Sequence, residues 1–304
     1  MEHSTKNTFP RILGTYSGPK KGPLLFITAG IHGNEPSGVY ALQKVFDALY
    51  LSKPALSGTV VGVTGNRKAL EKGVRYIDED LNRAWTEENI ENKLKESNEQ
   101  KEMHEIIEVL ESFPETEYTR RYFMDCHTIS ANTLPFISVQ EVGNNDTWAH
   151  YFPIHIVRGF SDLVYGCIDH YLSRIGITGF VLEAGQHESE AAMCNQEGMI
   201  WLAIQEACGL DMHHIMNYPE CIDKLTKNLK PPRKTFDIAY RHKLEKGDSF
   251  TMQPGFENFQ KIKKDQLLAV HNGKEIRSQW DAFIYMPLYQ EQGNDGFFVV
   301  TEAE

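Results

Sequence analysis

The stretch Leu24-Leu-Phe-Ile-Thr-Ala-Gly30-Ile-His32-Gly-Asn-Glu35-Pro-Ser-Gly38 decides how the rest of the chain is read. Residues 24–29 form a short, nearly continuous apolar run, the pattern of a strand buried on both faces of a parallel or mixed sheet. Gly30 and Gly33 allow the backbone to turn sharply around His32. Pro36 suits the first turn of a helix, where its missing N–H costs nothing, and Leu42, Val45, Phe46 and Leu49 follow at helical spacing. The order is therefore a strand, a loop carrying a histidine and a glutamate, then a helix. His-x-x-Glu occurs three times, as His32/Glu35, His187/Glu190 and His242/Glu245. Only the first follows an apolar strand at the end where open α/β sheets place their sites, which makes His32 and Glu35 the first candidate metal ligands. A loop histidine capping the helix, with Glu35 solvated in its first turn, fits the spacing equally well.

With 304 residues, 41% hydrophobic and 24% charged, the chain has ordinary globular composition and enough length for one large core or two domains. Residues 1–10 are polar, with no apolar stretch behind a basic start, and no run reaches membrane-spanning length. A cytoplasmic protein without a membrane partner is expected. Cys126, Cys167, Cys194, Cys208 and Cys221 are scattered and never form a C-x-x-C pair, which argues against a disulfide framework or a thiolate zinc site and for reduced, mostly buried thiols. The formal net charge of −11 argues against an extended phosphate-binding face, and so against nucleic acid as a partner. An anionic substrate would have to be drawn by a few arginines focused in a cleft.

Residues 57–65 read as a second strand, β-branched and bounded by glycines. Residues 73–85 follow as a polar loop in which Arg75, Asn82 and Arg83 suit bidentate carboxylate recognition, or equally surface ion pairs with Asp78, Glu79 and Asp80. Residues 87–112 read as one amphipathic helix, with Met103, Ile106, Ile107 and Leu110 on its inner face and His104 and Glu105 on or near its solvated side. Residues 121–128 form the next strand, ending in Asp125-Cys126-His127-Thr128. Two histidines and one glutamate at strand ends can supply the three protein ligands of a catalytic zinc and leave its fourth position for water. His127 is thus the third candidate ligand and Asp125 the partner that orients it, although His127 alone would read as a hydrogen-bonded core histidine.

Residues 135–140 are another strand, and 142–162 a loop-rich stretch in which His150 and His155 show no ligand spacing. Residues 179–185 return to the sheet pattern and deliver Glu183 at the strand end, a position suited to a general base or to an acid paired with an arginine. A helix with Ile200, Ala203, Ile204 and Ala207 on one face follows, stopped by Gly209. From Ile215 the composition changes. Lys230-Pro231-Pro232-Arg233 marks a boundary, and turn signals at Gly247-Asp248, Asn272-Gly273 and Asn294-Asp295-Gly296 punctuate a small β module. Within it Tyr289 stands among polar groups, either reaching the site or serving as a core or interface tyrosine.

Taken together, His32-Gly-Asn-Glu35, Arg75-Tyr-Ile-Asp-x-Asp-Leu-Asn82-Arg83, Asp125-Cys-His127 and Leu182-Glu183-Ala-Gly185 resemble the succinylglutamate desuccinylase/aspartoacylase family, whose catalytic domain is similar to zinc carboxypeptidases. The resemblance implies an α/β fold: a mixed sheet flanked by helices in a zinc carboxypeptidase-like catalytic domain over residues 1–214, with a smaller β-rich domain over 215–304 that narrows the cleft. It implies one Zn2+ per chain held by His32, Glu35 and His127, with Glu183 as general base for a zinc-activated water. Arg75 would polarise the scissile carbonyl, and Asn82 and Arg83 would grip the α-carboxylate of a small anionic N-acyl amino acid. Whether the chain forms a homo-oligomer is left open. Aspartoacylases carry a Tyr and an Arg roughly ten residues before the catalytic glutamate to recognise the substrate's side-chain carboxylate; here Tyr171 and Arg174 stand in that window but out of spacing, which leaves the amino acid and the acyl group open. A carboxypeptidase acting on peptide C-termini and a non-catalytic metal-binding protein are the competing readings of the same residues.

Overall fold

Residues 24–29 need apolar surroundings on both sides, and the fold provides them by placing their strand inside a large mixed sheet with helices on each face. The structure, a computed structural model, describes residues 8–160, 163–227 and 233–303. Its strands are β1 (Ile12–Ser17), β2 (Lys20–Ala29), β3 (Ser57–Thr64), β4 (Arg121–Ile129), β5 (Phe136–Ser138), β6 (His155–Arg158) and β7 (Thr178–Gln186). They continue as β8 (Thr235–Lys243), β9 (Phe250–Met252), β10 (Lys261–Ile262), β11 (Leu267–His271), β12 (Lys274–Arg277), β13 (Ala282–Tyr285) and β14 (Asp295–Glu302). The main sheet runs β1-β3-β2-β4-β7-β5-β6-β8-β14-β13-β10, and a small second sheet runs β12-β11-β9. β2 lies parallel to β3 and β4, and β4 parallel to β7, so the C-terminal ends of β2, β4 and β7 open side by side.

Alternation along β2 sorts its side chains between two cores. Leu25, Ile27 and Ala29 join the helices Ser37–Ser52 and Glu190–Cys208 on one face. Leu24 and Phe26 meet Met103, Ile106, Ile107 and Leu110 of the helix Asn98–Glu111 on the other. The helical spacing of Leu42, Val45, Phe46 and Leu49 buries all four, and Gly209 ends the helix Glu190–Cys208 in a left-handed conformation at φ +65°. The five cysteines are all free, four of them buried.

Several expectations are corrected. Residues 87–112 are not one helix but a short turn Glu87–Glu91 and the helix Asn98–Glu111, separated by a capping box between Ser97 and Gln100. His104 is buried, not solvated. The stretch 142–162 holds a short helix Asn145–Ala149 and the strand β6, too brief to show a period of its own. After residue 215 the chain first forms the helix Glu220–Lys227, packed on Glu190–Cys208, and β structure begins only at β8. β8 pairs in parallel with β6, so the main sheet is continuous across the change of composition. The signals at Lys230, Pro231 and Pro232, and residues 1–7 of the polar start, lie outside the described residues.

That junction carries a titratable group. His155 Nδ1 accepts a hydrogen bond from the Lys234 amide at 2.9 Å, which requires the unprotonated ring. Burial, with Lys234 alongside, lowers the His155 pKa. Protonation therefore favours the unfolded chain. The stabilising contribution is complete above the unfolded value of about 6.5 and is lost as pH falls below it through the lowered folded value. Between pH 7 and pH 5 the wild-type Tm should fall further than that of His155→Asn, which keeps an acceptor without the titration; parallel curves would contradict this.

Candidate metal centre and substrate cavity

β2 releases the chain into a loop that only glycine permits at two points. Gly30 has φ +71°, and a Cβ on Gly33 would stand 2.0 Å from the Ala69 carbonyl carbon. The Gly33 amide donates to the Arg75 carbonyl at 3.1 Å, tying this loop to the one carrying Arg75, Asn82 and Arg83. That second loop is no free surface segment. Buried Glu99 accepts from the Ile77 and Asp78 amides at 2.8 and 3.1 Å and from Asn66 Nδ2 at 2.7 Å. The break before the helix Asn98–Glu111 is what lets Glu99 reach in.

His32, Glu35 and His127 converge, with one ligand atom from each lying within 4.8 Å of the others. Glu35 sits between the two rings: Oε1 is 2.9 Å from His32 Nδ1 and Oε2 is 3.0 Å from His127 Nδ1. Each ring is held at its far nitrogen by an aspartate, His32 Nε2 by Asp80 at 3.0 Å and His127 Nε2 by Asp125 at 2.7 Å. A carboxylate at Nε2 keeps a proton on that nitrogen, so that the ring is in the ligating tautomer whenever Nδ1 gives up its own proton to a metal ion. Thr28 Oγ1 in turn donates to Asp125 at 2.6 Å across the β2–β4 pair. Burial opposes the charge on Glu35, yet His32 and His127 hold its pKa well below the usual range. Burial likewise opposes an imidazolium at His127, but Asp125 and Glu35 raise it well above the ordinary value. The cluster thus draws positive charge to the point where the two Nδ1 atoms and Glu35 meet, and a divalent cation with nitrogen and oxygen preference fits that donor set.

Glu183 lies opposite His127 in the β4–β7 register, buried, with Oε2 lacking any hydrogen-bond partner. Burial raises its pKa well above the usual range, with His127 and Arg75 opposing and Glu35 and Asp125 adding to the rise. Arg75 reaches Asp80 at 3.1 Å and Glu35 at 3.5 Å, so of the three acids expected as its surface partners it pairs with Asp80 alone. The Asn82 amide is oriented by Ile168, whose N–H donates to Oδ1 at 3.2 Å, which leaves Nδ2 beside His127. Arg83 donates to the Asn82 carbonyl at 2.7 Å and faces Asp295 at 3.6 Å.

His32, Glu35, Arg75, Asn82, Arg83, His127 and Glu183 line one cavity of about 150 Å³, whose lining also includes residues 286–288 and 293–295 of the C-terminal part. Tyr289 does not line it. Its hydroxyl donates to the Gln253 carbonyl at 2.7 Å and accepts from the Phe256 amide, tying the C-terminal strands together. Its neighbour Gln290 does reach in, accepting from Asn34 at 3.1 Å and meeting His187 Nε2 at 3.1 Å, while His187 Nδ1 meets Thr128 at 2.8 Å. The second His-x-x-Glu pair therefore supplies a histidine that links two residues of the cavity lining, Thr128 and Gln290, with Glu190 exposed, and the third lies among the C-terminal strands, where His242 meets His271. Tyr171 packs against Trp85 and Arg174 pairs with Glu87 at the surface, so neither reaches the cavity. Sequence reading missed Asp80 as a support for His32, and also His187 and Gln290. For Asp80 the available signal was its place inside the motif Asp78-x-Asp80-Leu-Asn82.

A mixed α/β sheet thus carries a His/Glu/His cluster at its parallel strand ends with a carboxylate opposite, a donor set that could hold a metal ion. A family model for the succinylglutamate desuccinylase/aspartoacylase catalytic domain matches residues 21–196, and the chain belongs to that family of hydrolases, which deacylate N-acyl amino acids. Among curated relatives, a probable aspartoacylase of Acaryochloris marina is 26% identical over 71% of this chain and 69% of its own length. A probable aspartoacylase of Nostoc sp. is 31% identical over 52% of this chain and 54% of its own, and the succinylglutamate desuccinylase of Pseudomonas aeruginosa 28% identical over 34% and 30%. The fold is shared with a succinylglutamate desuccinylase/aspartoacylase of Rhodobacter sphaeroides, with a TM-score of 0.68 at 14% identity over 95% of this chain and 88% of that one. It is shared too with murine aminoacylase 3, with a TM-score of 0.60 at 17% identity over 94% and 97%. No helix of the described residues is long and apolar enough to cross a membrane.

The closeness of Gly33 to Ala69 gives a stability test. Gly33→Ala should lower the urea midpoint by an amount equivalent to about 1–3 kcal/mol, the usual range for overpacking; an unchanged midpoint would mean the two loops have room to part.

Proposed function

We propose that the chain is a zinc-dependent amidohydrolase that splits a small N-acyl amino acid into a carboxylate and a free amino acid. The observation that carries this reading is Glu183: a buried carboxylate with an unpartnered oxygen, lining the same cavity as His32, Glu35 and His127. His32 Nδ1, Glu35 and His127 Nδ1 would hold the ion, one per chain. Zinc, when bound, supplies a Lewis acid that brings the pKa of water to about 7 and stabilises developing negative charge.

The remaining chemistry belongs to the side chains. Glu183 Oε2 takes a proton from the attacking water and returns it to the leaving nitrogen; its raised pKa suits a group that must both accept and release a proton near neutrality. Arg75, steadied by Asp80, offers N–H donors to the acyl oxygen as charge builds there. Asn82 Nδ2 and the Arg83 guanidinium bind the α-carboxylate. Asp125 and Asp80 keep the two rings in the ligating tautomer throughout.

A carboxypeptidase would use the same groups in a more open cleft. The cavity volume and its lining by residues 286–288 and 293–295 favour a small substrate, with residues 215–304 acting as the domain that narrows the site. The unpaired cysteines support a cytoplasmic setting. Zinc-loaded protein is expected to hydrolyse N-acetyl amino acids and to leave blocked dipeptides intact. Glu183→Gln should lower kcat by about 10²–10⁴-fold with bound metal unchanged; full turnover in that variant would remove Glu183 from the mechanism, and turnover of dipeptides alone would favour the carboxypeptidase.

A further inference from the structure

Beyond the groups that the reaction uses, the cavity lining includes Gln140 and Asp169, together with Ser138, Phe160, Val164 and Val181. Gln140 and Asp169 are only 2% and 4% exposed, and Gln140 Nε2 donates to Asp169 Oδ2 at 2.7 Å. This bond orients the Gln140 amide with its N–H groups toward Asp169, and it counters the burial that raises the Asp169 pKa. Its carbonyl oxygen, Oε1, is then left buried without any donor. A buried acceptor with no partner is costly unless a ligand supplies a donor, and among the described residues Asp169 has a single side-chain donor, Gln140.

The cavity has no spare cation for a second carboxylate. Among the described lining residues Arg75 and Arg83 are the only lysine or arginine side chains; the first is engaged by Asp80 and Glu35, the second faces Asp295. Asp169 directly follows Cys167 and Ile168, of which the first meets the Arg83 guanidinium at 3.6 Å and the second donates to Asn82 Oδ1 at 3.2 Å, so it stands beside the groups assigned to the α-carboxylate. A group bound there is accordingly the amino-acid side chain and not the acyl group. Phe160, Val164 and Val181 suit the methylenes that lead to it.

We propose that Gln140 and Asp169 form a side-chain subsite that selects N-acyl amino acids whose side chain ends in an N–H donor, amide or amine, over those ending in a carboxylate. This rests on the hydrolase reading above and narrows its substrate class. Selection arises from two directions: Gln140 Oε1 and Asp169 accept from an N–H terminus, and the same two acceptors repel a carboxylate.

The test compares N-acetylglutamine, N-acetylornithine, N-acetylglutamate and N-acetylnorvaline on zinc-loaded protein, beside the Tm shift produced by each free amino acid. Glutamine or ornithine derivatives should exceed the glutamate derivative by about tenfold or more in kcat/KM, and their free amino acids should raise Tm more than glutamate does. A lead for glutamine marks an amide subsite, a lead for ornithine an ammonium subsite. In Gln140→Leu and in the more conservative Asp169→Asn the preference should shrink toward unity, a ratio that a general loss of folding does not produce. Equal or better turnover of N-acetylglutamate would overturn the proposal, as expected if Asp169 were protonated and the Gln140 amide reversed to present donors; so would a best rate with norvaline. If no N-acyl amino acid is hydrolysed, the hydrolase reading fails, while the order of Tm shifts still decides the subsite.

Discussion

The site depends on keeping Glu35 ionised in the protein interior. A lone buried carboxylate would take up a proton, but this one has a histidine Nδ1 near each oxygen, accepts the Thr128 amide at 3.0 Å and lies 3.5 Å from Arg75. Those neighbours come from three separate parts of the chain, the loop after β2, the end of β4 and the loop of Arg75, so the position of Glu35 constrains them together. The turn at Gly30 must bring His32 back over β2, β4 must end with His127 turned toward it, and the loop of Arg75 must fold down across Gly33. Asp80 and Asp125 then act as outer supports, each carrying the proton-bearing side of one ring.

The C-terminal residues complete this arrangement from the other side. Gln290 joins Asn34 and His187, and Asp295 joins Arg83 and Arg241, so the C-terminal residues are fastened both beside the loop of His32 and Glu35 and at Arg83. Because β8 extends the main sheet through β6, these residues are carried on the same framework as the ligands.

Much of the centre was legible because each ligand stands at the end of an apolar run. The stretch before His32, the strand into His127 and the strand into Glu183 carry the same signal, and parallel pairing brings all three ends together. What was illegible depends on contacts between distant segments. Nothing near Asp80 says that it meets a histidine 48 residues earlier, and nothing near His187 announces Thr128 and Gln290. Tyr289 looked like a site residue because polar neighbours surround it, yet its hydroxyl satisfies the Gln253 and Phe256 backbone instead. Four-residue β6 and the buried His104 escaped for a related reason, since short elements and single polar residues are placed by tertiary packing and not by local pattern. Gln140 and Asp169 lie on separate elements, and only the fold makes them neighbours.

The most direct test of the account is the metal content of protein purified without chelator or affinity metal, measured by elemental analysis after zinc addition and desalting, for the wild type and His127→Ala. The account predicts about one zinc per chain in the wild type, in keeping with a three-ligand catalytic site, and its loss in the variant. A wild-type protein that retains no metal, or a variant that holds it as well as the wild type, would contradict the assignment of His32, Glu35 and His127 as the metal centre.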